Sequence, residues 1–168
     1  MDKNLKKKIV NLSNLIGRKD QNLGKKILKI QFNNKNIKEI AFLVFKILNI
    51  LKKTYKFNDK DVASSYVSFC RETITEQYYL KKNTTYRAIK EKINNLDFYS
   101  SKNKMRKYLV GLLLTQIFWS HHTKILTWYL KNLLKRNKIK NYLEIGAGHG
   151  LLSLLLQKKE KTDGMIVD

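Results

Sequence analysis

The chain has no proline, a single cysteine (Cys70) and only seven glycines in 168 residues. One thiol excludes a disulfide framework and any zinc site built on several cysteines, and it suits a reducing compartment. Without proline, breaks between elements must come from glycine, asparagine or a change of hydrophobic period. Long apolar runs are missing too. The richest stretches, 41–51 and 108–119, fall well short of the ~20 residues a spanning helix needs and read as core helices. The cationic start MDKNLKKKIVNLSNLIG has its apolar residues interrupted by asparagine and no small-residue cleavage site after it. No signal peptide is expected, and the expected location is cytoplasmic.

Acids are the other shortage: 13 against 35 cations, a formal charge of +22. Such a balance invites a polyanion. Only Arg18, Arg71, Arg87, Arg106 and Arg136 are arginines, however, and arginine is the preferred fork for phosphates and bases. A solvated, lysine-rich surface is therefore the simpler account of the charge. Its distribution is uneven all the same. From Phe98 to Leu143 there is no acid, while Lys102, Lys104, Arg106, Lys107, Lys124 and Lys131 all lie in that stretch.

Leu5, Ile9, Leu12 and Ile16 recur at helical spacing up to Gly17, before the turn-like GRKDQN. A second helix is expected from Asn36 to about Tyr55 on Ile40, Leu43, Val44, Ile47 and Leu51. Asn58 with Asp61 three residues on forms a cap for a third, reaching about Leu80. Thr84 or Thr85 starts a shorter helix through Ile93, Ser100 or Ser101 one reaching Trp119, and Ser120 another to Arg136. Residues 1–137 thus read as an all-helical region. From 138 the period changes: IKNYLEI suits a strand, GAGHG a loop, LLSLLLQKK a helix and GMIVD a second strand. Residues 138–168 read as one βαβ unit, giving an α/β fold class overall.

Three of the seven glycines, Gly146, Gly148 and Gly150, lie in that loop. They allow a sharp turn after a strand and close approach of a ligand to the backbone. Glu144 stands at the tip of the first strand, where a carboxylate could hold a cationic group. Asp168 ends the second, where a carboxylate could accept both hydroxyls of a ribose. The spacing departs from the dinucleotide fingerprint. Gly150 follows Gly148 by two residues rather than three, position 151 is Leu, and an acid beside the loop would repel a pyrophosphate.

The run Tyr142-Leu143-Glu144-Ile145-Gly146-Ala147-Gly148-His149-Gly150 resembles the first motif of class I S-adenosylmethionine-dependent methyltransferases. The resemblance covers about residues 141–168 and implies a Rossmann-like sheet that is incomplete where the chain ends at Asp168. It implies that the backbone of Gly146, Ala147, Gly148 and Gly150 wraps the methionine moiety of S-adenosylmethionine, that Glu144 helps to place its amino group and that Asp168 binds its ribose. The usual catalytic positions would lie beyond Asp168, so no catalytic base is assigned and this chain alone is expected to be inactive. An Asn-Pro-Pro-Tyr signature for amide methylation is impossible without proline. GLLLTQIFWSHH is similar to the helical segment before this motif in some bacterial methyltransferases of small-molecule or sugar biosynthesis, which favours a small-molecule or sugar hydroxyl as acceptor. RNA methylation is the alternative raised by the charge. A non-catalytic, basic helical binding protein with a relic cofactor motif is the third reading.

Adjacent His121 and His122 should diverge by about 100° on a helix and so not share a metal; no metal site is expected. Helix-capping or core-edge histidines are the plainer reading, and His149 needs no catalytic role. Tyr66, Phe69, Tyr78, Tyr79 and Tyr86 could line a substrate pocket but suit a core at least as well. Arg71 and Arg87 could hold an anion, or pair with Glu72, Glu76 or Glu91.

Overall fold

A computed structural model describes residues 3–30, 32, 35–87, 100–136, 139–159 and 162–168. Six helices precede the sheet among these residues: α1 (Lys3–Gly17), α2 (Gln21–Leu28), α3 (Lys35–Tyr55), α4 (Asp59–Asn83), α5 (Lys102–Phe118) and α6 (Ser120–Arg136). They are followed by β1 (Asn141–Ile145), α7 (Leu151–Lys159) and β2 (Asp163–Val167). A helical region leading into a βαβ unit is thus the architecture. The expected helix through Ile93 lies outside the described residues beyond Arg87, as does the expected boundary at 137–138.

The apolar periodicity explains most of the helices. Leu5, Ile9, Leu12 and Ile16 are buried on α1, and Ile40, Leu43, Val44 and Ile47 on α3. Asn58 accepts hydrogen bonds from the Lys60 and Asp61 amides while the Asp61 carboxylate accepts from the Asn58 amide at 2.9 Å, closing the capping box that starts α4. Ser101 caps α5 as expected. Ser120 does not cap α6 but is its first residue.

The sequence did not signal α2. Its eight residues span barely two turns, too few for a hydrophobic period to register, and it exists by docking. Asp20 accepts from the Leu23 amide to cap it. The Ser13 hydroxyl donates to the Gly24 carbonyl at 2.8 Å, and a side chain at Gly24 would come within 2.6 Å of the Gly17 Cα.

One core runs through the whole molecule, from α1 to the buried leucines of α7, Leu151, Leu155 and Leu156. α5 packs on both α3 and α4, and α7 packs on α3 and α6. The two strands pair in parallel, with Asn141 opposite Asp163 and Ile145 opposite Val167. On β1, Tyr142 and Glu144 turn towards the helices while Leu143 and Ile145 face solvent, and β2 is exposed along its length. Among the described residues no helix is long and apolar enough to cross a membrane.

α4 and α5 approach closely at Gly111, where a Cβ would overlap the Phe69 side chain. Alanine there gains about 1 kcal/mol in helix propensity but overpacks a buried contact, at about 1–3 kcal/mol. Because the helices are held on both sides by the core, the clash wins. Gly111→Ala is expected to lower the urea midpoint; an unchanged or raised midpoint would show that this contact relaxes freely.

Candidate functional site

β1 ends at Ile145, and the chain turns through Gly146, Ala147, Gly148, His149 and Gly150 into α7. All three glycines are left-handed, with φ of 70°, 53° and 66°, a region that other residues enter only under strain. Above Gly146 and Gly150 there is open space where a Cβ would stand, whereas Gly148 lies against Leu109 and Leu112 of α5. The loop is therefore a bare backbone ledge with one side on the helical region.

Three of its five amides are partnered within the protein. The Gly146 amide donates to the Val167 carbonyl at 2.7 Å, the Gly150 amide to the Ala147 carbonyl at 2.9 Å, and the Gly148 amide to Asp168 Oδ1 at 3.2 Å. The first turn of α7 is likewise capped by its neighbours. His149 Nδ1 accepts from the Leu151 amide at 3.2 Å, and Glu144 Oε2 accepts from the Ser153 amide at 3.0 Å and from the Ser153 hydroxyl. Gly150 offers no capping side chain, so an acid from β1 takes over that work.

Two carboxylates thus flank a loop three of whose five amides are used internally. Such a site suits a phosphate poorly, because the anion would meet two like charges. It suits a group that is cationic or carries hydroxyls. Glu144, Gly146, Ala147, Gly148, Gly150 and Asp168 lie together around this turn. Glu144 differs in detail from the expectation, since one of its oxygens is engaged by Ser153.

The histidines are the finding that sequence reasoning missed. His121 and His122 do not diverge: their rings lie 4.4 Å apart, edge to face, and each packs on Trp119 at 5.5 and 5.4 Å. They sit in the first turn of α6, where both rings fold back onto the residue that links α5 to α6. Thr115, fully buried, bonds His122 Nδ1 through its hydroxyl at 2.8 Å, and the same hydroxyl donates to the Leu112 carbonyl at 2.6 Å. The Gln116 side-chain amide also lies 3.3 Å from His122 Nδ1, so two polar groups of α5 meet that nitrogen. His149, whose Nδ1 accepts, carries its proton on Nε2.

Partial burial favours the neutral form of both rings. It pushes His149 down to about 4, with the charge of His122 adding to the effect, and it lowers His122, with His121 adding. Leu109 and Leu112 of α5 lie against the loop at Gly148, while Gln116 and Trp119 meet the histidines; the spacing of these residues is in the sequence, their partners are not. Among the described residues no three of the histidines, cysteines and acids are grouped to hold a metal.

The remaining candidates lie elsewhere. Tyr66 is a core residue packed on Phe118, and Phe69 packs on Tyr108 and Trp119. Tyr78 and Tyr86 are exposed, and Tyr79 lies under Arg87. Arg87 pairs with Glu76 at 3.3 Å, and Arg71 reaches Asp20 and the Lys19 carbonyl rather than Glu72. Cys70 is buried, which raises its thiol. Comparison of the chain with protein-family models, curated proteins and solved structures finds no match.

A neutral, buried His149 ties stability to pH. Its folded value, about 4, lies below the unfolded ~6.5, so its contribution is complete above pH 6.5 and is lost as pH falls towards 4. The chain should be about 2 kcal/mol less stable at pH 5 than at pH 7 on this account. His149→Asn, which keeps an acceptor for the Leu151 amide, should flatten most of that slope in urea unfolding. An unaltered slope would locate the pH sensitivity elsewhere.

Proposed function

We propose that this chain carries the cofactor half-site of an S-adenosylmethionine-dependent methyltransferase with a Rossmann-like βαβ unit, acting on a hydroxyl of a small molecule or sugar. The observation that carries the reading is the left-handed glycine ledge between β1 and α7, open above Gly146 and Gly150 and bracketed by Glu144 and Asp168.

The donor set fits that cofactor. Its sulfonium and ammonium are cations, and the ledge offers two carboxylates with no arginine or lysine in the turn. The ribose would meet Asp168, which already sits over the Gly148 amide. Because the α7 amides at Leu151 and Ser153 are taken by His149 and Glu144, a pyrophosphate has little to hold it. When bound, S-adenosylmethionine supplies a methyl group on a positively charged sulfur. The protein's part is then alignment, with a base where the acceptor must lose a proton.

His122 is suited to that second task. Its Nδ1 is held by Thr115 and Gln116, and it lies near enough to His149 to act on it electrostatically. Neutral rings also avoid repelling a cationic cofactor. A lone, buried thiol supports a reducing, cytoplasmic setting.

Calorimetric titration of S-adenosylmethionine into the chain tests the reading. Saturable binding is expected, weakened at least tenfold in Asp168→Ala because a charge-assisted hydrogen bond to the ribose is lost, and abolished in Gly148→Arg. Absence of binding from a chain that circular dichroism shows to be folded would remove the proposal.

A further inference from the structure

A large cleft lies away from the glycine loop. It has a volume of about 560 Å³ between the α2–α3 connection, the end of α5 and one face of α6. Its floor is apolar, formed by Ile37, Ile117 and Phe118 with Ile30, and its α6 wall carries Lys124, Trp128 and Lys131. These three are spaced four and three residues apart and share one helical face. His122, Leu126 and Tyr129 occupy the opposite face, where Tyr129 feels the charge of Glu144. The cleft is therefore separated from the glycine loop by the body of α6.

Three features define its occupant. Trp128 is 58% exposed, an uncommon state for a large aromatic ring unless something stacks on it. Lys124 and Lys131 are exposed on either side of it, with no ion-pair partner among the described residues, and no acid lines the cleft. The same wall bears Ser120, Thr127 and the amide of Asn132, whose Nδ2 donates to the Trp128 carbonyl and leaves Oδ1 as an acceptor. An acyl chain would have no use for those polar groups. A nucleobase has a flat face, an edge that hydrogen-bonds and anionic phosphates on both sides.

We propose that this cleft binds single-stranded nucleic acid, with one base inserted between Trp128 and the isoleucine floor and the flanking phosphates on Lys124 and Lys131. Stacking on an exposed aromatic tolerates any base, and lysines track the backbone without reading sequence. The site accordingly selects for a strand rather than for a sequence. It also gives the +22 charge a local role, drawing the strand to a wall that holds no acid. The inference stands apart from the methyl-transfer reading, since the cleft and the glycine ledge are on opposite sides of α6.

The test is fluorescence anisotropy of a labelled ten-nucleotide oligouridylate titrated with the full chain at several salt concentrations. Binding is expected, with Trp128→Ala weakening it about tenfold, as loss of one stacked base does. Lys124→Ala/Lys131→Ala should reduce the slope of log affinity against log salt by roughly 1.4, two phosphates at about 0.7 each for single strands. All three side chains are exposed, and circular dichroism checks that the variants fold. Binding indifferent to Trp128→Ala would place the strand elsewhere on the lysine-rich surface and overturn the proposal. So would failure to bind the oligonucleotide while laurate changes Trp128 fluorescence, which would assign the cleft to an anionic amphiphile. The titration with S-adenosylmethionine is unaffected by either outcome, so the two readings fail separately.

Discussion

The burial of Leu151, Leu155 and Leu156 against α3 and α6 is the contact on which the candidate site depends. α7 has nine residues, well below the ~12–15 at which an isolated helix begins to be stable. The sheet it connects has two short strands, and β2 is exposed along its length. Neither element could hold the other alone. Three buried leucines, at roughly 1.5–3 kcal/mol each, anchor α7 to the helical region, and the Lys158–Glu39 ion pair at 3.2 Å adds a second tie to α3. With α7 in place, the glycine turn at its N-terminus has a definite position against Leu109 and Leu112.

Once the turn is held, its electrostatics follow from how the orphan amides of α7 are satisfied. A glycine before the helix has no capping side chain, so Glu144 from β1 and His149 from the turn take the amides instead. That arrangement leaves acids, not free donors, beside the ledge. A helix N-terminus with free amides selects anions; the same terminus capped by a carboxylate selects against them. The two acids beside the ledge are thus a consequence of local hydrogen bonding, not of glycine spacing.

α6 divides the chemistry of the molecule. Its one face, with His122, Leu126 and Tyr129, looks towards the βαβ unit; the other, with Lys124, Trp128 and Lys131, borders the cleft. A 3.6-residue period allows one helix to present two different sets of side chains on opposite faces. His122 is half-buried, which lowers it, whereas Lys124, Trp128 and Lys131 are exposed on the opposite side of the same element.

Much of this fold was legible in the residue pattern. Apolar repeats marked α1, α3, α4, α5 and α6, the Asn58–Asp61 pair marked a helix start, and the strand–glycine–helix–strand order marked the βαβ unit, because each is a local property of a few consecutive residues. The grouping of Glu144, the glycines and Asp168 at one turn followed from the same order, since parallel strands joined by a helix bring their C-terminal ends together. What the sequence left open was decided by contacts distant in the chain. α2 exists because Gly24 fits against Gly17; His121 and His122 meet because Trp119 lies beneath both; His122 and His149 are neighbours because α7 docks on α6; and the cleft exists because α2, α3 and α5 leave a space along one face of α6. Periodicity determines which face of a helix is apolar, but not what that face is packed against. That choice belongs to the tertiary structure, because it rests on shape and burial summed over segments that the chain order alone does not bring together.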